Sequence, residues 1–165
     1  MIDSWRTGFY AGVGLTLLTG LFLVWLWQPE RQVDRHTEHL LRKLEQKNWA
    51  AAADFIANEY KDQWGDDRSL VLARTQEVFQ YVHGIKIQAL EPVTVTTDGR
   101  RGTWKARIVF TGNAGDEGTT LLKERVNSLS TPFELKWRQM SGKPWDWKLV
   151  YVGNSELQIP AAGFE

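Results

Sequence analysis

The chain has 165 residues, 20 of them Lys or Arg and 20 Asp or Glu, and it contains no cysteine. Charges of both signs alternate along it, which excludes the clustered basic stripe of a nucleic-acid-binding surface. The lack of cysteine excludes disulfides, a thiolate metal site and a cysteine nucleophile together.

The first predicted element is apolar. Between Arg6 and Glu30, 23 consecutive residues carry no charge. At a rise of about 1.5 Å per residue, Trp5 and Trp25 lie roughly 30 Å apart along a helix, the thickness of a bilayer's hydrocarbon core. Trp5 at one end, with Trp25 and Trp27 at the other, suits the headgroup level, where an indole is half dehydrated and its N–H still finds a partner. A cleaved signal peptide is the rival reading. It would need a basic start, a shorter apolar run and small residues before the cut, whereas this run has one Arg before it and ends in Trp25-Leu26-Trp27-Gln28-Pro29. The expectation is therefore an uncleaved single-pass anchor. Gly8, Gly12, Thr16 and Gly20 recur at every fourth position and predict a small-residue stripe against which another membrane helix packs. The plainer account is that Gly is frequent in membrane helices.

Orientation is read from the flanks. Only Arg6 precedes the span, while Arg31, Arg35, Arg42 and Lys43 follow it, a count that by itself keeps the following domain in the cytoplasm. Long domains cross with little regard to that count. The expectation is a bacterial-type inner membrane with an extracytoplasmic domain.

Helical spacing continues to Gly84. Val33, Leu40, Leu41 and Leu44 predict a helix opened by Pro29. Asn48 offers a cap for a second, with Ala52, Phe55, Ile56 and Tyr60 on one side. After the break at Gly65-Asp66-Asp67, a third helix capped by Ser69 points Leu70, Ala73, Val78, Phe79 and Val82 inward and ends at Gly84. Beyond Gly84 the period becomes two. Ile85, Ile87 and Ala89 predict one strand, Trp104, Ala106, Ile108 and Phe110 a second, and Phe133, Leu135 and Trp137 a third. Trp145, Trp147, Leu149 and Tyr151 predict a last strand, joined to the third by the turn Ser141-Gly142-Lys143-Pro144. Gly112 to Gly118 reads as a polar loop. Helices first and an antiparallel sheet afterwards make an α+β domain. The expected division is 1–29 for tail and anchor, 30–160 for the domain and 161–165 for a C-terminal tail.

That order, with the closing hairpin Phe133-Glu134-Leu135-Lys136-Trp137-Arg138 and Trp145-Asp146-Trp147-Lys148-Leu149-Val150-Tyr151-Val152, resembles the nuclear transport factor 2-like superfamily, also called the cystatin-like cone. Asn48-Trp49-Ala50 and Asn154-Ser155-Glu156-Leu157-Gln158-Ile159-Pro160 are similar to segments of its bacterial members. The resemblance implies three helices packed on a curved antiparallel sheet of four to five strands, and a pocket between them. Its motifs are packing motifs, so it speaks to fold before activity. Members include isomerases, dehydratases and epoxide hydrolases, and also binding and scaffold domains without chemistry. Among the latter are the single-pass inner-membrane scaffolds of type IV secretion systems, which this chain matches in layout only.

The inward strand positions are almost wholly apolar. Tyr60, Trp104, Phe110, Trp137 and Trp147 are the candidate pocket lining, and as large aromatics they equally make a packed core. Asp54, Tyr60 and Glu77 are the only helical groups near the inward stripe that suit proton transfer, and exposed helix faces account for such acids. His36 and His39 lack the further ligands of a metal site, and His83 sits at a helix end. No catalytic residue, metal or cofactor is expected. The residues favour a membrane-anchored scaffold, binding or accessory subunit. Its partners are membrane lipid and another transmembrane helix, met through the small-residue stripe and an outer sheet face carrying Lys105, Arg107, Lys136, Arg138 and Lys148. The alternative is a pocket enzyme or carrier of a small apolar ligand, of isomerase, dehydratase or hydrolase type. A closed interior with no cavity of a few hundred Å³ counts against it.

Overall fold

The computed structural model describes residues 3–158, with side chains from Gly12 onward. Trp5 and Gly8 as side chains, Ile159 and Pro160, and the tail 161–165 lie outside the described residues. The order is α1 (Asp3–Leu26), α2 (Pro29–Glu45), α3 (Trp49–Ala53), α4 (Arg68–Gln80), β1 (Val82–Asp98), β2 (Arg101–Ala114), α5 (Glu117–Asn127), β3 (Phe133–Gln139) and β4 (Trp147–Gly153). The strands form one antiparallel sheet of four in the order β1-β2-β3-β4. The α+β expectation holds at that level.

Helix α2 packs on one face of the sheet, where Val33 and Leu40 share a buried core with Trp104, Trp137 and Trp147, and Thr37 is fully buried as well. Pro29 opens it, as expected, because the missing N–H is one the first turn leaves unpaired anyway. Its polar side chains are tied to neighbouring elements. Glu30 accepts from the Thr97 hydroxyl, Asp34 Oδ1 from Trp104 Nε1 at 3.1 Å, and Glu45 Oε1 from the Ile87 amide at 2.8 Å. Gln32 Nε2 donates to the Leu26 carbonyl at 2.8 Å, satisfying one of the open carbonyls at the end of α1. Close approach of α2 to β2 requires Gly102, since a Cβ there would overlap Val33 Cγ2.

Several expectations are corrected. The second helix is five residues long, capped by Asn48 Oδ1 on the Ala51 amide at 3.2 Å. The chain then runs along the edge of β4: Ala57 N donates to Leu149 O at 2.9 Å, Lys61 N to Val150 O at 3.2 Å and Gln63 N to Val152 O at 3.0 Å. Pairing with that open edge outweighs the helical spacing of Phe55, Ile56 and Tyr60. Helix α4 is capped by Asp67, which accepts from Leu70 N at 2.9 Å, and not by Ser69. Of its expected inward residues only Phe79 is buried within the helix, while Leu70 is exposed. Gly84 does not end α4. It sits inside β1 at φ +61, at a register shift between His83 and Lys86. The expected polar loop at Gly112–Gly118 is not one. Residues 112–114 end β2, Glu117 and Gly118 open α5, which the period-two reading missed, and only Gly115 and Asp116 connect them. Asp116 caps the helix by accepting from Thr119 N at 2.8 Å.

A bulge decides the last strand. Lys136 pairs with Tyr151 but Trp137 with Leu149, leaving Val150 as the extra residue. Trp147 and Leu149 therefore face the core, whereas Tyr151 turns outward, with Lys136 Nζ 4.4 Å from its ring centroid. Trp145, expected inward, precedes the strand and is exposed.

Among the residues described with side chains, which take in α1 only from Gly12, no single helix is long and apolar enough to cross a membrane. Gly12–Leu26 and Pro29–Glu45 meet length and composition only as a pair, bent by 66°. The single-span expectation thus finds no support in the described part of α1.

Replacing Gly102 by Ala should force Val33 out of its seat and cost about 1–3 kcal/mol, the usual range for overpacking. Urea unfolding of the variant and the wild type checks this, and equal midpoints would contradict the close-approach argument.

Candidate functional site

The centre of the cone is closed. Trp104, Trp137, Trp147 and Tyr60 are all buried. Trp104 Nε1 is held by Asp34, and Trp147 Nε1 donates to Pro144 O at 2.9 Å. The edge of His36 meets the Trp137 and Phe55 rings at centroid distances of 6.0 and 5.9 Å. Burial pushes the Tyr60 phenol well above its ordinary pKa, with the charges of Asp62 and Asp66 adding to the effect, so it is a neutral core group. Of the five expected lining residues, Phe110 borders one cavity, and Tyr60, Trp104, Trp137 and Trp147 are not among that cavity's lining.

That cavity, of about 80 Å³, lies off-centre, between the end of α4, helix α5 and the adjoining parts of β1 and β2. Local backbone events build it. The irregularity at Gly84 puts Val82, Ile85 and Ile87, rather than alternate residues, on the buried face of β1. Thr119, Leu122 and Val126 supply one stripe of α5, and Phe79 meets Phe110 edge to face at 6.4 Å. Asn127 fastens α5 down by accepting from Phe110 N and donating to Phe110 O, each at 2.8 Å, along the part of β2 beyond its pairing with β3. At the rim, exposed Thr111 and half-buried Lys123 face solvent, and Lys123 Nζ donates to Gly112 O at 3.0 Å. Hydrogen bonds from the Thr119 amide and hydroxyl hold the Asp116 carboxyl below its ordinary pKa. Two sequence signals could have found this helix: Asp116 three residues before Thr119, and apolar residues at Leu122 and Val126.

No carboxylate, His or Tyr lines the cavity. Asp54 and Glu77 are exposed elsewhere, as are His39 and His83. His36 Nδ1 lies 2.7 Å from Gln32 O and Nε2 2.9 Å from Trp145 O, so whichever nitrogen is protonated donates to a carbonyl. Among the described residues no group of three or more His, Asp or Glu is placed to hold a metal ion.

The cations expected on the outer sheet face have partners within the chain. Lys105 and Lys136 share Glu134 at 3.1 and 3.6 Å, and Arg138 pairs with Glu59. Arg107 Nε donates to Leu129 O at 3.2 Å and Lys148 to Asp54 O. In α1, Gly12 and Gly20 have no atom within 4 Å of where a Cβ would stand, and Thr16 Oγ1 donates back to Gly12 O at 2.9 Å.

A second titratable cluster fixes the loop before α4. Asp62 Oδ1 accepts from Trp64 N at 2.9 Å and Asp66 N at 2.8 Å, while Asp66 takes Arg74 in a fork at 3.0 and 2.8 Å. Burial raises the Asp62 pKa, the neighbouring Asp66 charge adds to the rise, and the backbone donors oppose it. A raised carboxyl pKa means that the folded state holds the proton more tightly than the unfolded chain. Its stabilising effect is present at low pH and lost as pH rises through the folded value. Asp62→Asn keeps both acceptor bonds without the charge. It should therefore be at least as stable as wild type at neutral pH, with the difference closing as pH falls toward the ordinary carboxylate range. Thermal melts across that range test this, and a variant that loses stability at pH 7 would contradict the assignment.

No protein-family model matches the sequence, and no curated protein matches it. Solved structures do. A nuclear transport factor 2-like superfamily protein from Salmonella enterica is 11% identical, with 77% of this chain and 89% of that chain covered at a TM-score of 0.57. A protein provisionally named scytalone dehydratase from Novosphingobium aromaticivorans is 10% identical, over 88% and 95% of the two chains, with a TM-score of 0.55. Bd1075 of Bdellovibrio bacteriovorus is 11% identical over 76% of this chain at a TM-score of 0.57, and the match spans only 41% of that longer chain. The secretion-scaffold layout finds no support among these matches. At such identities the likeness is one of fold, and the fold is the nuclear transport factor 2-like, or cystatin-like, cone.

Proposed function

We propose that this chain is a binding domain or carrier for a small apolar ligand, tethered to a membrane by α1. The observation that carries the reading is the cavity under α4 and α5, whose lining is apolar apart from Thr111, Thr119 and Lys123. Proton transfer needs a titratable group within hydrogen-bond reach of the substrate. Asp54, Tyr60 and Glu77 are not among the lining residues, so binding fits the lining better than dehydration or isomerisation. The provisional dehydratase name of a structural neighbour supports a ligand-holding use of this fold over a scaffold. At about 80 Å³ the cavity falls short of the few hundred Å³ of a pocket of the usual size, which counts against a drug-sized substrate and confines the reading to a compact apolar molecule or the end of a chain.

The tether is supported by the surface of α1. Leu15, Leu17, Leu18, Leu21, Phe22 and Val24 are each more than half exposed. Exposed apolar surface on this scale marks a membrane or partner contact. The helix has 24 residues, about 36 Å at the usual rise, enough for a bilayer core of ~30 Å. On this reading it is a single-pass anchor of a bacterial-type inner membrane, with the domain extracytoplasmic. A second reading, an accessory subunit packing helix to helix, is favoured by the open surface at Gly12 and Gly20.

Short alkanes and alkylbenzenes should stabilise the detergent-solubilised full chain saturably, by about 2.7 kcal/mol at a concentration 100 times Kd. Val126→Trp, which fills the cavity, should abolish that gain while the variant stays folded. A wild-type chain whose melting is unmoved by every member of the series would overturn the ligand reading. Loss of an oligomer or complex on Gly12→Leu with Gly20→Leu would instead favour the accessory-subunit reading.

A further inference from the structure

The β3–β4 turn leaves two large apolar side chains in the open. Met140 at its start is 42% exposed and Trp145 at its end 55%. The residues between them, Ser141-Gly142-Lys143-Pro144, bury nothing that explains this. The turn is nevertheless held in place. Trp145 O lies 2.9 Å from His36 Nε2, Met140 N donates to Asp146 O at 2.8 Å, and Gln139 N donates to Arg100 O at 2.9 Å in the neighbouring β1–β2 turn.

Its position matters more than its composition. The Trp145 ring stands 6.5 Å from that of Trp27, centroid to centroid. Trp27 and Trp25 are themselves exposed at the end of α1, and the Arg31 guanidinium lies 3.4 Å over the Trp25 ring. Three exposed indoles from two distant parts of the chain thus gather where the apolar helix ends. Indoles beside cationic side chains suit the headgroup level, where the ring loses water and the cation reaches phosphate.

We infer that the Met140–Trp145 turn is a second membrane contact, seated in the phospholipid headgroup layer beside Trp25 and Trp27, and that it sets how the cone stands on the bilayer. The inference rests on α1 being a membrane anchor. Arg31, Arg100, Arg101 and Lys143 share this end with Glu30, Asp98 and Asp146, a net charge of only one, so aromatic insertion carries the contact. Docking should therefore depend little on anionic lipid. The cavity lies at the other end, since β1 and β2 meet there through Val82 and Ala114 and turn at Asp98 and Arg101 here.

The absence of cysteine allows a single label. Full-length chain carrying a fluorophore at Lys143→Cys is reconstituted into phosphatidylcholine vesicles containing a headgroup-level nitroxide lipid, with a label at Glu124→Cys on α5 as the control. The protein should float with the vesicles, and the turn label should be quenched at least threefold more than the control. Adding Trp145→Asp should bring quenching to the control level while flotation and circular dichroism persist. Flotation with equal quenching at the two positions overturns the turn contact alone. Quenching that survives Trp145→Asp overturns the role of the indole. Failure to float overturns the anchor and the turn contact together.

Discussion

Everything in the cone is arranged around the seat of α2. Val33 and Thr37 are fully buried because β2 offers Gly102, with no side chain, at the point of contact. With the helix that close, its polar residues cannot be left facing the sheet unpaired, since an unmet buried group costs about 1–3 kcal/mol. Asp34 and Glu45 meet this by taking the Trp104 indole and the Ile87 amide. The helix axis, the β1–β2 turn and the end of α1 are thereby fixed by one element.

That seat also accounts for the closed centre. Trp104, Trp137 and Trp147 fill the space beside α2 with buried aromatic rings. The cavity lies away from that seat, where the end of α4 and the shorter α5 cover the sheet. An apolar cavity away from the closed centre is better suited to holding a molecule than to transforming it. On the tethered reading, exposed indoles gather at the bilayer end while the cavity opens at the opposite end.

Much of this was legible in the chain. Pro29 opening α2, Asn48 capping α3, the antiparallel pairing of β3 with β4 and the apolar inner face from Trp104 to Ile108 all arise from local chemistry that acts over a few residues. The Gly99-Arg100 turn is equally local, with Gly99 at φ +56, yet strand alternation alone does not mark it. The failures have long-range causes. The segment after α3 left its helical pattern for the free edge of β4, a partner 90 or so residues away that no local spacing announces.

The sequence by itself determined the division into an apolar N-terminal helix and an α+β domain, and the faces of most strands, because periodicity and capping are properties of neighbouring residues. Tertiary structure alone decided which aromatics are core and which are surface. One extra residue at Val150 in the β3–β4 ladder reverses the parity of the residues after it, turning Tyr151 out and Val152 in. Where a side chain ends up after a bulge depends on the partner strand's register, and a single strand read alone carries no record of it.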